Sequence, residues 1–507
     1  MTACASTGER GKGEIMIGKL PGRVWAERMS MPIAMFLVLS TVGVGEAGVK
    51  RGLAFAAGWQ KPGAASPSID RPDYPPNVTV ISETKPHVLR LFVSWSSLLN
   101  SRCVNNPSTF CWKASDCAAS GGGPCAPAPA TPAEMKSRIT ASEGWSALLA
   151  AVRSARCSGP GEVILALTSD DFPDWARAAT ENLPKPDVIK KEWRWFLDIL
   201  VEAATGSPMN GGCPTQAALS LEPLNEPNHA TTIDGQKPFI KPVSALAERI
   251  VDMLQEALAA TGHTSMLVYG PSLSEAKGPN FKDSYTKLSR LIMRELACEM
   301  KPRHPYTRVR WSQHDYGDIK IKQPRAARHV IEKVLCKPIV CTSGPRKGKK
   351  LKWVSRLKDR SANTGFFLTE GGAPLHGYPN PMEQCQTVRK AYADLQELTC
   401  PGRRQKRVRL WTQYPIHSRY SDPCFDSGLL GQFKFGGNGP NVAACPACVA
   451  RSPAAWGCTD IADPTATCNQ VRATNCLDAS TPNANPTGVK LPLYRWFTKP
   501  TDGCGGS

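Results

Sequence analysis

The sequence predicts an α/β protein folded as a parallel (β/α)8 barrel, a TIM barrel, and three observations predict it. The first is the stretch Ala218 to Asn228, ALSLEPLNEPN, where an apolar run suited to a buried strand gives way to Asn225, Glu226, Pro227 and Asn228. The second is Gly365 to Gly372, GFFLTEGG, another apolar run that ends in a carboxylate, Glu370, ahead of two glycines that leave room for a ligand. The third is what lies between them: two further strand-like runs, Ser265 to Gly270 and Arg308 to Gln313, each separated from its neighbours by a helix-like segment. Four successive strands joined by crossover helices set the two glutamates three strands apart on one rim of a barrel. At that rim, where strands end, a side chain is rigidly held and still open to a ligand.

Taken in order, strand one is expected at Arg51 to Ala57, and the prolines from Pro62 to Pro76 argue against a helix directly after it. Asn77-Val78-Thr79 is a glycosylation sequon, of use where the host glycosylates. Strand two is Val88 to Trp95. The segment Asn100 to Pro132, with Cys103, Cys111, Cys117 and Cys125 among Gly, Ser and Pro, reads as a loop insertion stapled by two internal disulfides. Helix two is expected over Ala133 to Ala155 and strand three over Glu162 to Leu167, followed on the rim by Asp170, Asp171, Phe172 and Trp175. Helix three, Lys190 to Ala204, carries Trp193 and Trp195 beside Phe196 and Leu200, an aromatic stripe at the spacing of a core face. Helices four to seven fall at Ser244 to Thr261, Ser284 to Met300, Ala326 to Val334 and Pro381 to Leu398, strand eight at Arg407 to Gln413, and a closing helix at Leu491 to Thr498.

Between strand eight and that helix, Ser421 to Pro486 reads as a second cysteine-rich insertion. Strands one, two and eight are neighbours in a closed barrel, so the two insertions are expected to form one disulfide-held wall beside the cleft. The domain expectation is an N-terminal extension and secretory signal over 1–48, a catalytic barrel over 49–499 with insertions at about 100–132 and 421–486, and a tail over 500–507.

The chain has 507 residues, 41% of them apolar, enough for one barrel with large insertions. Its formal net charge is +19, with Lys and Arg clustered in Arg346 to Arg360 and Arg403 to Arg409. Such runs form a solvated basic face, or else attract a polyanion: a uronate-rich polysaccharide, an anionic wall or a membrane surface. No nucleic-acid recognition motif accompanies them, so nucleic acid is not an expected partner.

Nineteen cysteines are too many for a typical cytosolic enzyme. With Cys4 in a segment expected to be removed, the rest suit about nine disulfides in an oxidising compartment. Cys445 and Cys448 form a CPAC pair without a second CxxC or a spaced His, so no metal is expected. Met29 to Gly48, preceded by Arg23 and Arg28, has the basic flank, short apolar core and small residues of a secretory signal. No other run suits a membrane helix, and a secreted monomer without cofactor is the expectation.

The motifs together resemble the clan of (β/α)8 glycoside hydrolases with catalytic glutamates after strands four and seven, above all the cellulase-like glycoside hydrolase family five and its relatives. Asn225, Glu226 and Pro227 match the Asn-Glu-Pro after strand four. His314 and Tyr316 in WSQHDYGD match the His-x-Tyr after strand six, and Glu370 matches the strand-seven nucleophile. Trp411 in VRLWTQY matches the Trp after strand eight, and Arg90 in VLRLFVSW the Arg on strand two. Where many members carry a histidine near strand three, this chain has Asp170 and Asp171.

The resemblance implies a retaining glycosidase acting on a poly- or oligosaccharide, with Glu226 as acid and base and Glu370 as nucleophile. One carboxyl must carry a proton and the other must not. It also implies that Asn225 bonds the sugar 2-hydroxyl. Tyr316 and Arg90, a phenol donor and a permanent cation, both favour an ionised Glu370. His314 is expected to bond substrate or to order the rim, and Trp411 to offer a flat face to a sugar ring or else to pack in the barrel wall. Glu222, of the same strand parity as Glu226, reads as a buried, paired carboxylate. A barrel that binds carbohydrate without catalysis, or a transglycosylase, is the alternative; the pairing of both glutamates with Tyr316 and Arg90 speaks against a mere binder.

Overall fold

The computed structural model describes residues 49–504 apart from 56–70, 73, 100, 112–116, 119–120, 169–176, 179–180, 185–190, 211, 214–215, 227–239, 264, 271, 275–280, 300–308, 321–324, 353–364, 374–380, 403–405, 415–428, 432–488 and 491. Within them eight parallel strands close into a barrel: β1 Lys50–Ala54, β2 Val88–Val93, β3 Glu162–Thr168, β4 Ala218–Asn225, β5 Leu267–Tyr269, β6 Val309–His314, β7 Phe366–Gly371 and β8 Val408–Gln413. Each pairs with its neighbours in sequence, and β8 pairs with β1. The chain is therefore a (β/α)8 barrel.

Period-two alternation sorts the strand side chains onto two surfaces. Leu89, Leu91, Leu165, Leu221, Val309 and Trp311 join the main core shared with the helices. Val88, Ile164, Tyr269, Phe367 and Leu410, of the opposite parity, form a separate cluster inside the barrel. Near the strands' N-terminal ends this interior holds a buried ion pair, with Arg310 Nη1 donating to both Glu162 oxygens at 2.8 Å and to Tyr269 Oη at 2.6 Å. Outside, helix Glu192–Thr205 buries Trp193, Phe196, Leu197, Leu200, Val201 and Ala204 along one face. Trp193 packs edge-on to Trp95 with centroids 4.8 Å apart, so the aromatic stripe is core.

Several expectations change locally. The helix before β2, Pro75–Thr84, starts on the last two prolines of the expected non-helical stretch, because proline is tolerated in the first turn, where its missing N–H has no partner to lose; residues 62–70 lie outside the described residues. Asn77 in that helix is fully buried and its amide donates to Arg71 O at 2.6 Å, so in the folded chain the sequon offers no accessible acceptor. Helix two is broken into Pro132–Thr140 and Glu143–Cys157. Ser142 Oγ accepts from Trp145 N at 3.0 Å and starts a fresh helix there. Part of the basic run 346–360 lies in an antiparallel hairpin, Pro338–Val340 with Lys350–Lys352, which periodicity did not suggest.

Six disulfides occur among the described residues. Cys103–Cys117 and Cys111–Cys125 staple the first insertion as expected. Cys157–Cys213, Cys298–Cys341, Cys336–Cys400 and Cys385–Cys504 tie helices to the segments beside them. Among the described residues no helix is long and apolar enough to cross a membrane. The signal at Met29 to Gly48, the rim group Asp170, Asp171, Phe172 and Trp175, and the second insertion with its CPAC pair, apart from 429–431, lie outside the described residues; Leu430–Gly431 pairs antiparallel with Val489–Lys490 ahead of the closing helix.

Candidate active site

The site is built around Arg90, the third residue of β2, which has no exposure to solvent. Its Nη1 donates to Glu370 Oε2 at 2.7 Å. Its Nη2 donates to Glu222 Oε1 at 2.7 Å and to Asn225 Oδ1 at 2.5 Å, and its Nε to Glu222 Oε2 at 3.2 Å. Burial by itself would push the guanidinium down, but Glu222 and Glu370 outweigh it and hold the group above its ordinary value. Glu222 is thus the buried, paired carboxylate that its place in the strand suggested.

Two bulges bring these residues together. Ala166 of β3 pairs with Glu222, but Thr168 pairs with Asn225, so β4 carries an extra residue there. Glu222 and Asn225 therefore both reach Arg90 although they stand an odd number of positions apart. Just beyond the bulge Glu226 has φ of 48°, the left-handed region in which a Cβ is strained, and its N–H donates to Ser272 O at 2.7 Å. In β7, Leu368 to Gly371 stand against Trp411 to Gln413 with one residue extra. Glu370 consequently reaches Arg90 while Thr369, next to it, also turns inward, its Oγ1 2.5 Å from Ser272 Oγ.

His314, at the end of β6 and buried, stands between the two glutamates. Its Nδ1 is 2.7 Å from Glu226 Oε1 and its Nε2 3.5 Å from Glu370 Oε2. Burial opposes a charge on the imidazole, yet Glu370 and Glu226 together raise it above its usual value. One oxygen of each glutamate and one nitrogen of His314 all lie within 4.8 Å of one another. Such a donor set is the kind a divalent ion takes, but here Nδ1 is engaged by Glu226 and the Arg90 charge stands against Glu370, both of which disfavour a cation.

Tyr316 Oη donates to Glu370 Oε1 at 2.5 Å, and burial followed by the Glu370 charge pushes the phenol well above its usual range, so it stays a donor. Its short helix Tyr316–Lys320 is pinned by Asp318, whose carboxylate accepts from Ala326 N at 2.7 Å and Ala327 N at 2.8 Å. Arg90, Asn225, Glu226, His314, Tyr316 and Glu370 are thus in one constellation.

Trp411 does not join them. It is 1% exposed, and its ring centroid lies 5.9 Å from Phe497, 6.1 Å from Tyr392 and 6.5 Å from Trp496, all on outer helices. Strand parity decides this: Leu410 turns into the barrel, so Trp411 turns out. The absence of a side chain at Gly371 serves the same packing, since a Cβ there would lie 2.9 Å from Trp411 Nε1. Trp411→Ala is expected to cost about 3–5 kcal/mol of stability, read as a lowered urea midpoint, and to leave KM unchanged. An unchanged midpoint with a raised KM would return Trp411 to the cleft.

Among the described residues, Tyr414, one residue past β8 and half-buried, also reaches the site, and the motifs did not single it out. Its ring stands edge-on to Phe92 at 6.0 Å, its N–H donates to Gly371 O at 2.8 Å, and its phenol is near enough to Tyr316 to raise that group further. The only sequence signal for it is its place just after the strand.

No protein-family model matches the chain, and no curated protein does. Among solved structures it is similar to a glucosidase from Croceicoccus marinus, at 14% identity and a TM-score of 0.40, over 76% of this chain and 64% of that one. A beta-glucosidase from Exiguobacterium marinum matches at 12% identity and a TM-score of 0.41, over 76% of this chain and 94% of that one. An exo-beta-1,4-mannosidase from Opitutaceae bacterium strain TAV5 matches at 10% identity and a TM-score of 0.40, over 76% and 56%. At such values these likenesses carry nothing about activity, and the reading that follows rests on the geometry of the site.

Proposed function

We propose that the protein is a secreted glycoside hydrolase that cleaves O-glycosidic bonds of a poly- or oligosaccharide with retention. Glu370 attacks the anomeric carbon as the bond to the leaving oxygen breaks, and Glu226 gives that oxygen its proton. Glu226 then takes a proton from water, whose oxygen displaces Glu370 and releases the sugar with its original anomeric configuration. The observation that carries this is the proximity of the two carboxylates on either side of His314, one oxygen of each within 4.8 Å of the other, which suits the roughly 5–5.5 Å carboxyl separation of a retaining pair.

The supporting residues suit those roles. Arg90 and Tyr316 each give Glu370 one hydrogen bond, which fixes both its oxygens. Arg90 holds the Asn225 carbonyl oxygen, so the amide nitrogen is left to donate to a substrate hydroxyl such as the 2-OH. The six disulfides favour an oxidising compartment. Incubation with a panel of glucans, mannans, xylans and uronans, with NMR of the first product formed, tests the proposal. Retained anomers from one of them are expected; inverted product, or no hydrolysis across the panel and across aryl glycosides, would overturn it.

A further inference from the structure

On the wall of the barrel, toward the strand ends opposite the glutamates, lies a cavity of about 290 Å³. Its lining includes Arg290 and Arg294 from the helix Phe281–Cys298, Lys333 and Lys337 from the turns after Arg325–Val330, and Ile339 and Val340 of the hairpin. Helices of a (β/α)8 barrel run antiparallel to its strands, so the last turns of Phe281–Cys298 and the segment leading into the hairpin belong to the end where strands begin. The cavity is thus separate from the proposed catalytic centre.

Its chemistry is two-sided. Four cations stand around walls that include buried Ile339 and exposed Val340. Arg290, Lys333 and Lys337 have no acidic partner among the described residues, and Arg294 has Glu295 at 3.5 Å. Cations clustered in this way repel one another and gain when an anion arrives. The hairpin is held in place by Cys298–Cys341 at the end of the same helix and by Cys336–Cys400 just before it. Lys350 stands opposite Val340 in the ladder, hence on the same face of the hairpin, and exposed Lys347 and Lys349 precede it. Positive charge therefore continues from the cavity along the hairpin. None of the lining residues is aromatic, so the stacking platforms that hold single-stranded nucleic acid are missing from the cavity.

We infer that this cavity and the adjoining hairpin bind a carboxylated polysaccharide, seating one uronate ring between the cations and the aliphatic wall while the polymer follows Lys347 to Lys350. The cavity is near the small end of ligand sites, about 300–1,000 Å³, which suits a single ring. The choice of a polysaccharide as the polyanion rests on the glycosidase reading; the site itself does not.

The test uses the full chain and polygalacturonate, with dextran as a neutral polymer and phosphatidylserine vesicles and single-stranded DNA as other polyanions. Wild type should bind polygalacturonate with an affinity that falls as salt rises, because the contacts are screened. The triple variant R290Q/K333Q/K337Q should weaken that binding roughly tenfold, three exposed charge contacts acting together, with aryl-glycoside turnover and melting unchanged. Val340→Glu, which removes no cation and sets an anion at the same face, should weaken it as well. Wild-type affinity in both variants, or tighter binding of DNA or vesicles than of polygalacturonate, would overturn the inference. Polygalacturonate binding that depends on these residues in a protein that hydrolyses nothing would sink the glycosidase reading and keep the site; hydrolysis without such binding would do the reverse.

Discussion

Glu370→Ala is expected to leave no measurable turnover of any glycoside, activated or not, because the proposed mechanism loses the carboxylate that attacks the anomeric carbon. The Glu370 carboxylate is bonded by Arg90 at 2.7 Å and Tyr316 at 2.5 Å, so its orientation is set before substrate arrives, and removal leaves two donors facing a gap. Glu226→Ala should differ in kind. With a leaving group that needs no protonation the first step survives and the glycosyl-enzyme accumulates, visible by mass spectrometry, whereas ordinary glycosides lose on the order of 10²–10⁴-fold in rate. His314, 2.7 Å from Glu226 and 3.5 Å from Glu370, should lower both steps when changed to Ala, since it faces both carboxylates. A Glu370→Ala enzyme of unchanged activity would remove the mechanism, and equal loss with every leaving group in Glu226→Ala would remove the acid/base role.

Arg90→Leu should cost about 3–5 kcal/mol of folding stability, against a typical total of about 5–15 kcal/mol. Arg90 and Glu222 both have 0% side-chain exposure, so deletion of the cation strands a carboxylate inside the barrel with its desolvation uncompensated. The double variant Arg90→Leu/Glu222→Leu is expected to recover most of that loss, because an apolar pair of similar volume removes the unpaired charge. Activity should not return with it, since Glu370 and Asn225 have still lost the donor that holds them. Urea unfolding reads the first quantity and kcat the second. A single variant as stable as wild type, or a double variant that regains both stability and turnover, would show that Arg90 is a surface-like ion pair with no part in positioning Glu370.

What the sequence by itself determined is the part that is local in the chain. Apolar runs that end in polar residues placed all eight strands within a few positions, because a strand buried on both faces has to be a near-continuous apolar segment. The resemblance carried by Arg90, Asn225-Glu226, His314-x-Tyr316 and Glu370 named side chains that meet, and the barrel's strand order sets them on one rim. The turn at Ser142, the buried Asn77 and the basic hairpin escaped that reading, the first two being set by single bonds, to Trp145 N and to Arg71 O, that leave no mark on apolar periodicity, and the hairpin by pairing across an intervening loop.

Tertiary structure alone decided the aim of individual side chains. Period-two parity gave Glu222 and Glu226 the same face and left Asn225 on the other, but a bulge in β4 turned Asn225 inward with Glu222 and left Glu226 at φ 48° beyond the ladder. Trp411 was matched by motif to a sugar platform, yet the register of β8 points Leu410 inside and Trp411 out against Tyr392, Trp496 and Phe497. The cationic cavity gathers residues from two helical segments and a hairpin far apart in sequence. A bulge is one residue's difference in pairing between two strands, and a face is a choice between two sides of a wall. Both depend on the neighbouring strand rather than on the residue's own stretch of chain.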